Sequence, residues 1–328
     1  MRWGITVPFA GIPLIDHEAV YAEIAAAGYT DLWSSEVAGA DGFTPLALAA
    51  AWQPGLRLGT AIAPVFTRGP ALLAMTAAAL AEAAPGRFAF GIGASSPVIV
   101  DDWNAVSYVD PLGRTRDVLR FVKTALAGEL ADGDFGSFAV RRFRLERPPA
   151  VPPPILLAAL RPGMLRLAAA EADGVILNWL SAADVTTALD VTGRRAGFEV
   201  AARIFVCPTP DVTTAREIGR RLIAAYLTVP AYAEFQRWLG RGELLAPLWA
   251  AWAAGDRKTA AASVPDHVVD ELVLHGSPAD CRAQVEDYVR AGVGTPVIAL
   301  VPTPELMAGG RAALGGVIAG LAPSTVED

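Results

Sequence analysis

The residues of this chain that could do chemistry are few, and most of them follow short apolar runs. Glu36 comes directly after Leu32-Trp33-Ser34-Ser35, where a carboxylate can accept a hydrogen bond from a planar ring or move a proton. Gly91-Ile92-Gly93-Ala94-Ser95-Ser96 closes another run with small residues, so backbone amides and two hydroxyls can come close to a ligand. Arg161 precedes Pro162-Gly163, which reads as a helix start, and a guanidinium beside free helix amides is a phosphate-holding combination. Asn178-Trp179, Trp103-Asn104, Phe9 and Ala159 complete the set that such a site would draw on.

That inventory disfavours several chemistries. The histidines His17, His267 and His275 do not follow the runs, so the several strand-end ligands of a metal hydrolase are missing and no metal is expected. Glu36 has no strand-end carboxylate partner, only the loop acids Asp41, Asp101 and Asp102, which argues against a glycosidase. Neither the GxGxxG spacing of a dinucleotide fold nor a Walker lysine accompanies the glycines. Cys207 and Cys281 show no CxxC spacing, so neither a disulfide framework nor a zinc site is indicated. A flat organic cofactor suits this apolar rim best, because the cofactor carries the chemistry while the protein supplies shape and a few polar contacts.

The elements that must position these residues are legible as an alternation. Apolar runs over Trp3 to Val7, Thr30 to Ser34, Arg57 to Ile62, Arg87 to Ile92, Pro154 to Ala158, Gly174 to Leu177, Ala202 to Cys207 and Pro296 to Val301 are separated by helix-period segments. Near-continuous hydrophobicity is what parallel strands buried on both faces require. The expectation is a (β/α)8 TIM barrel of the α/β class, with an open doubly wound sheet as the competing arrangement. Ser277-Pro278-Ala279-Asp280 reads as a capping box, Asp16 as another helix cap, and Gly292 as a helix stop. Two stretches break the rhythm, about 128–153 with hairpin glycines and about 230–276 as a helical excursion. Both are read as insertions in one domain spanning residues 1–328. Barrels of this kind bind ligands at the carboxyl ends of their strands, where the residues named above fall.

With 53% hydrophobic and 19% charged residues the chain can bury a large core, and 27 basic against 34 acidic side chains give a net charge of −7. No basic stripe for nucleic acid is present. No apolar stretch is long enough to span a membrane, and the amino-terminal run lacks the layout of a signal peptide. A cytoplasmic protein acting on a small molecule is the expectation.

The run from Arg87 to Pro97 resembles the fourth-strand signature of the bacterial-luciferase-like superfamily of flavin and deazaflavin oxidoreductases. Leu32-Trp33-Ser34-Ser35-Glu36 resembles its second strand, Leu58-Gly59-Thr60-Ala61-Ile62 with Arg68 its third, Pro154 to Ala159 its fifth, and Ala291 to Pro296 the approach to its last. The stretch from Ser95 to Val100 followed by Trp103-Asn104, together with Arg114-Thr115-Arg116, is most similar to members that use coenzyme F420. The resemblance implies a cis peptide at Ala61-Ile62 against the cofactor ring and Glu36 at the ring's polar edge in a catalytic role. It implies Gly93, Ala94, Ser95 and Ser96 along the ribityl chain, with Ala159, Arg161 and Asn178 near the phosphate. Phe9, Trp103, Asn104 and Trp179 are the expected walls of the substrate pocket. Val37 stands where several F420 dehydrogenases carry a histidine, and Ser96 where some carry an acid. The expected activity is therefore hydride transfer between F420 and a small or medium-sized organic substrate, governed mainly by positioning. An FMN-dependent monooxygenase using oxygen is the alternative within the family; a cofactor-binding protein without turnover is the alternative outside enzymes. The family's habit of pairing barrels through helices makes a homodimer a further expectation.

Overall fold

Every one of the expected apolar runs forms a strand in the computed structural model, which describes residues 1–324. The strands are β1 (Gly4–Val7), β2 (Asp31–Ser34), β3 (Arg57–Thr60), β4 (Phe88–Gly93), β5 (Ile155–Ala158), β6 (Gly174–Asn178), β7 (Glu199–Cys207) and β8 (Thr295–Leu300). Each pairs in parallel with the next, and β8 returns to β1 with Gly4 opposite Val297, so the sheet closes on itself. Closure excludes the open doubly wound sheet. The arrangement is a (β/α)8 barrel.

Why the runs read as continuously apolar follows from their two faces. One set of side chains, including Ile5, Leu32, Leu58, Phe90, Leu157 and Val175, is fully buried in the layer shared with the surrounding helices, each contributing roughly 1.5–3 kcal/mol. The alternate set points into the lumen. Trp33, Ala89, Leu156, Ile176, Ala201 and Val297 form a separate buried cluster there. The Trp33 indole fills the lumen because its neighbours on both sides are glycines: a Cβ at Gly59 would lie 2.4 Å from its ring and one at Gly4 2.8 Å away. Below this layer, at the amino-terminal end of the barrel, sit Asp31, Arg57, Glu199 and Thr295, a buried polar plug.

Two short strands were not foreseen. The run expected to continue to Ile62 stops at Thr60, turns through a cis Ala61–Ile62 peptide, and resumes at Ala63–Pro64 beside Ile92–Gly93. Val273–His275 pairs with Phe205–Cys207, because β7 outruns its β6 partner, whose pairing ends at Arg203. Three residues at the tail of a helical stretch are too few to show a period. Within the expected insertions, Ala131–Asp134 and Ala139–Phe143 form an antiparallel hairpin, and four helices run from Pro230–Trp238 to Asp266–Leu272.

The Ser277 capping box is present in both directions, and Gly292 follows the helix Pro278–Ala291. Asp16 makes no side-chain cap; a 3-10 turn, Leu14–Asp16, precedes the helix instead. No helix among the described residues is long and apolar enough to cross a membrane.

Candidate active site

The carboxyl ends of β2 and β3 meet around Glu36. Its Oε2 accepts from the Gly42 N–H at 2.9 Å and from Arg68 Nη2 at 2.9 Å, while Arg68 also lies 3.6 Å from Asp41 and its guanidinium sits 5.0 Å from the Phe43 ring centroid. The carboxylate is thus fixed in place, with one oxygen committed. Asp41 is a structural acceptor as well: despite some desolvation, hydrogen bonds from Thr44 and Phe43 and the charge of Arg68 hold it below the usual carboxylate range.

The Glu36 N–H donates to the Ile62 carbonyl at 3.4 Å, and the Ala61 N–H to the Ser34 carbonyl at 2.6 Å. The cis peptide is therefore strung between the ends of β2 and β4. The missing side chains of Gly91 and Gly93 make room for protein as well. A Cβ at Gly91 would fall 1.8 Å from the Thr60 carbonyl oxygen, and one at Gly93 would fall 2.9 Å from Ala158 Cβ and 3.3 Å from Ile62. The cis turn can approach β4 only because these positions carry no Cβ.

On the other side of the mouth, Ser95, Arg161 and Asn178 come together through two tyrosines that sequence reasoning passed over. Ser95 adopts a left-handed backbone (φ 65°), and its carbonyl accepts from the Tyr108 hydroxyl at 3.2 Å. Burial pushes the Tyr108 hydroxyl up to about 12, with Tyr232, Arg161 and Asp101 close enough to act on it. Asn178 Nδ2 donates to the Tyr232 hydroxyl at 3.2 Å, whose pKa burial likewise raises. Tyr232 belongs to Pro230–Trp238, so the helical insertion folds over the rim. Nothing in the local pattern marks either tyrosine; a tyrosine in a loop and one in a helix gain meaning only when the chain brings them to the strand ends. Arg161 is exposed and precedes Pro162–Glu171, a helix with no side-chain cap on its first amides. The Ser96 hydroxyl, by contrast, accepts from the Ile99 N–H at 3.4 Å.

Between β1, β2, β7 and β8 the mouth opens into a cavity of about 1360 Å³, above the usual range of roughly 300–1,000 Å³ for small-molecule pockets. Of the residues expected to bind ligands, Phe9 lines it. The Phe9 N–H donates to His17 Nε2 at 2.9 Å, and the other ring nitrogen of His17 lies 3.0 Å from the Pro13 carbonyl. Burial lowers the pKa of this imidazole against the smaller opposing effects of Pro13 and Asp16, so it is the neutral form that holds the β1 loop.

Other expectations fare differently. Ala159 is buried in the sheet–helix layer, whereas Ala158 faces the lumen; the two-residue period of a strand puts successive side chains on opposite faces. Trp179 is 1% exposed and stacks on Phe205 at 4.1 Å in a satellite core, where it has no free face for a substrate. Trp103 is 54% exposed at the end of a π-helical turn, Val98–Trp103, and Asn104 donates to the Ile99 carbonyl; neither lines the cavity. Among the described residues no cluster of metal-ligating side chains occurs.

The residues present fit a flat, phosphate-bearing cofactor on two counts. One rim joins an exposed arginine to an uncapped helix start, and the Ser95 carbonyl and Asn178 beside it are bound to two buried tyrosine hydroxyls that shape that rim.

The family profile described as luciferase-like monooxygenase matches residues 1–295. A Mycobacterium tuberculosis protein described as a candidate coenzyme F420-dependent oxidoreductase is 26% identical over 329 aligned positions, covering 91% of this chain and 94% of that protein. The coenzyme F420-dependent tetrahydromethanopterin reductase of Methanopyrus kandleri superposes with a TM-score of 0.73 at 19% identity over 98% of both chains. The oxygenating constituent of 3,6-diketocamphane monooxygenase from Pseudomonas putida, in complex with FMN, gives 0.66 at 16% identity, covering 99% of this chain and 97% of that one. At such identities the structural likeness speaks to fold.

Proposed function

The chain belongs to the luciferase-like monooxygenase family, and we propose that it is an F420-dependent oxidoreductase moving a hydride between the deazaflavin and a small or medium-sized organic substrate. The observation that carries this reading is the presence, at one barrel mouth, of the Glu36 carboxylate held by Arg68 and the Gly42 amide and, on the other side, the Ser95–Tyr108–Arg161 cluster. F420-dependent relatives, by their names, favour the deazaflavin over FMN.

When bound, the deazaflavin supplies a two-electron hydride carrier. Ala61 and Ile62, packed on the lumen cluster, would support its ring. Glu36, held by Arg68 and the Gly42 amide, presents its remaining oxygen as a fixed acceptor at the ring edge; a carboxylate so restrained orients rather than shuttles. Gly93, Ala94, Ser95 and Ser96 flank the chain that leads to the phosphate. Arg161 and the first amides of Pro162–Glu171 take the phosphate, with Asn178 beside them through Tyr232. The largely apolar cavity next to Phe9 receives the substrate.

Titration of the purified protein with F420 and with FMN, followed by fluorescence, tests this. F420 is expected to bind more tightly, and Glu36→Gln to weaken it about tenfold, within the roughly 1.5–3 kcal/mol range of hydrogen bonds to charged groups. Failure to bind either cofactor ends the reading. Preference for FMN with oxygen-dependent turnover would replace it with a monooxygenase.

A further inference from the structure

The lumen contains two arginines whose charges are met in opposite ways. Arg57, in the plug, donates to Asp31 at 3.1 Å and to both oxygens of Glu199 at 2.7 and 2.6 Å. Arg203 sits on the same strand as Glu199, beside Asn178 of β6 and Val297 of β8. Ala201, two residues before it, lies in the lumen cluster, so the strand period turns Arg203 inward as well. Among the described residues the Arg203 side chain has no ion pair and no hydrogen bond; its guanidinium rests 4.8 Å from the Phe205 ring centroid, and its Nε is buried without a partner. Thr6 Oγ1 and Asn178 Oδ1 are unpartnered in the same way.

A partly buried cation without a counter-charge is costly, and this one faces the cavity of about 1360 Å³. The walls near it are apolar, including Phe9, Ile12, Leu300, Leu306 and Met307, whereas Ser95, Ser96 and Arg161 do not line that cavity. The cation is thus on the substrate side of the mouth. The other charged residues of the lining are exposed: Arg311, which pairs with Glu23, and the acids Asp16 and Glu18; Arg203 is the one charged side chain of the lining that is not exposed. One guanidinium matches one negative charge, and its planar fork matches a carboxylate; a phosphate dianion would leave a charge uncompensated.

We propose that Arg203 anchors the carboxylate of an otherwise apolar substrate, with the Thr6 hydroxyl beside it completing the polar floor, so that the enzyme selects apolar carboxylic acids. This rests on the oxidoreductase reading for the identity of the ligand as substrate, and the test separates the two. The full-length protein is titrated calorimetrically with decanoate, methyl decanoate and 1-decanol, and by fluorescence with F420. Wild type is expected to bind decanoate at least about tenfold more tightly than the ester. Arg203→Met should lose roughly 10- to 100-fold in decanoate affinity, leaving 1-decanol and F420 binding unchanged. Arg203→Lys, which keeps the charge but not the fork, should retain part of the preference and serves if the methionine variant does not fold. Equal binding of acid and ester by wild type, or unchanged decanoate binding in Arg203→Met, overturns the proposal. So does a variant that loses F420 rather than decanoate, since the arginine would then serve the cofactor. A wild type that binds neither F420 nor FMN, yet prefers decanoate in an Arg203-dependent way, refutes the oxidoreductase reading and leaves the carboxylate site standing.

Discussion

Replacing Arg57 by methionine should destabilise the barrel by about 3–5 kcal/mol at neutral pH, the usual cost of leaving a buried charge without its partner. The magnitude follows from the plug itself. Arg57 is 7% exposed and Asp31 fully buried, Glu199 is gripped at both oxygens, and the Thr295 hydroxyl supplies Glu199 with one further donor at 2.8 Å. Methionine keeps most of the volume but leaves the buried Asp31 and the partly buried Glu199 with only the half-exposed Arg2, 3.7 Å from Asp31, as a cation nearby. With an unfolding entropy near 2.1 cal/mol/K per residue, the loss corresponds to a Tm lower by roughly 4–7 °C.

The loss should depend on pH, with a sign the structure dictates. Burial alone would raise the pKa of Glu199, but the hydrogen bonds and charge of Arg57 and the Thr295 hydroxyl hold it below the ordinary carboxylate value. In the wild type its contribution is therefore present above the unfolded-state pKa and is lost as pH falls through the folded-state value. Without Arg57 the desolvation of Glu199 is no longer outweighed, so its folded-state pKa rises and acid stabilises the variant relative to its state at pH 7. Urea unfolding of both proteins between pH 4.5 and 8 measures this, and the gap between them should narrow toward the acid end. A loss below about 1 kcal/mol at pH 7, or one of constant size across the series, would refute a buried plug held by charge.

Gly91→Ala should reduce folded yield sharply, because its Cβ would fall 1.8 Å from the Thr60 carbonyl oxygen and backbone cannot step aside cheaply; near-normal yield and Tm would show that β4 and the cis turn are not so closely packed. His17 has a folded-state pKa lowered by burial, so its contribution to stability is complete above the unfolded value near 6.5 and is lost as pH drops below it. Replacing it with glutamine should flatten that part of the stability profile, as denaturant midpoints between pH 5 and 7.5 will reveal.

The strands were legible because a segment buried on both faces must be apolar throughout, and the Ser277 capping box because its partners lie three residues apart. Glu36, Ser95, Arg161 and Asn178 could be nominated because a barrel places whatever follows its strands around one mouth. Ala159 shows the grain of such reading: the strand ends at Ala158 as expected, but the residue that follows it takes the opposite face of the sheet. Tyr108, Tyr232 and Arg203 went unnoticed for another reason. Their surroundings come from β4, the helical insertion, β1 and β8, which are far apart along the chain.

By itself, then, the order of residues determined the alternation of strands and helices, the absence of metal-ligand spacing at the strand ends and the small-residue end of β4, since these depend on local period and residue type. The tertiary structure alone decided which lumen arginine is neutralised and which is not, that two glycines make room for a cis turn, and that Trp179 is core. Those outcomes turn on distances between residues remote in sequence, and a charge or a cavity acquires its chemistry only from what packs against it.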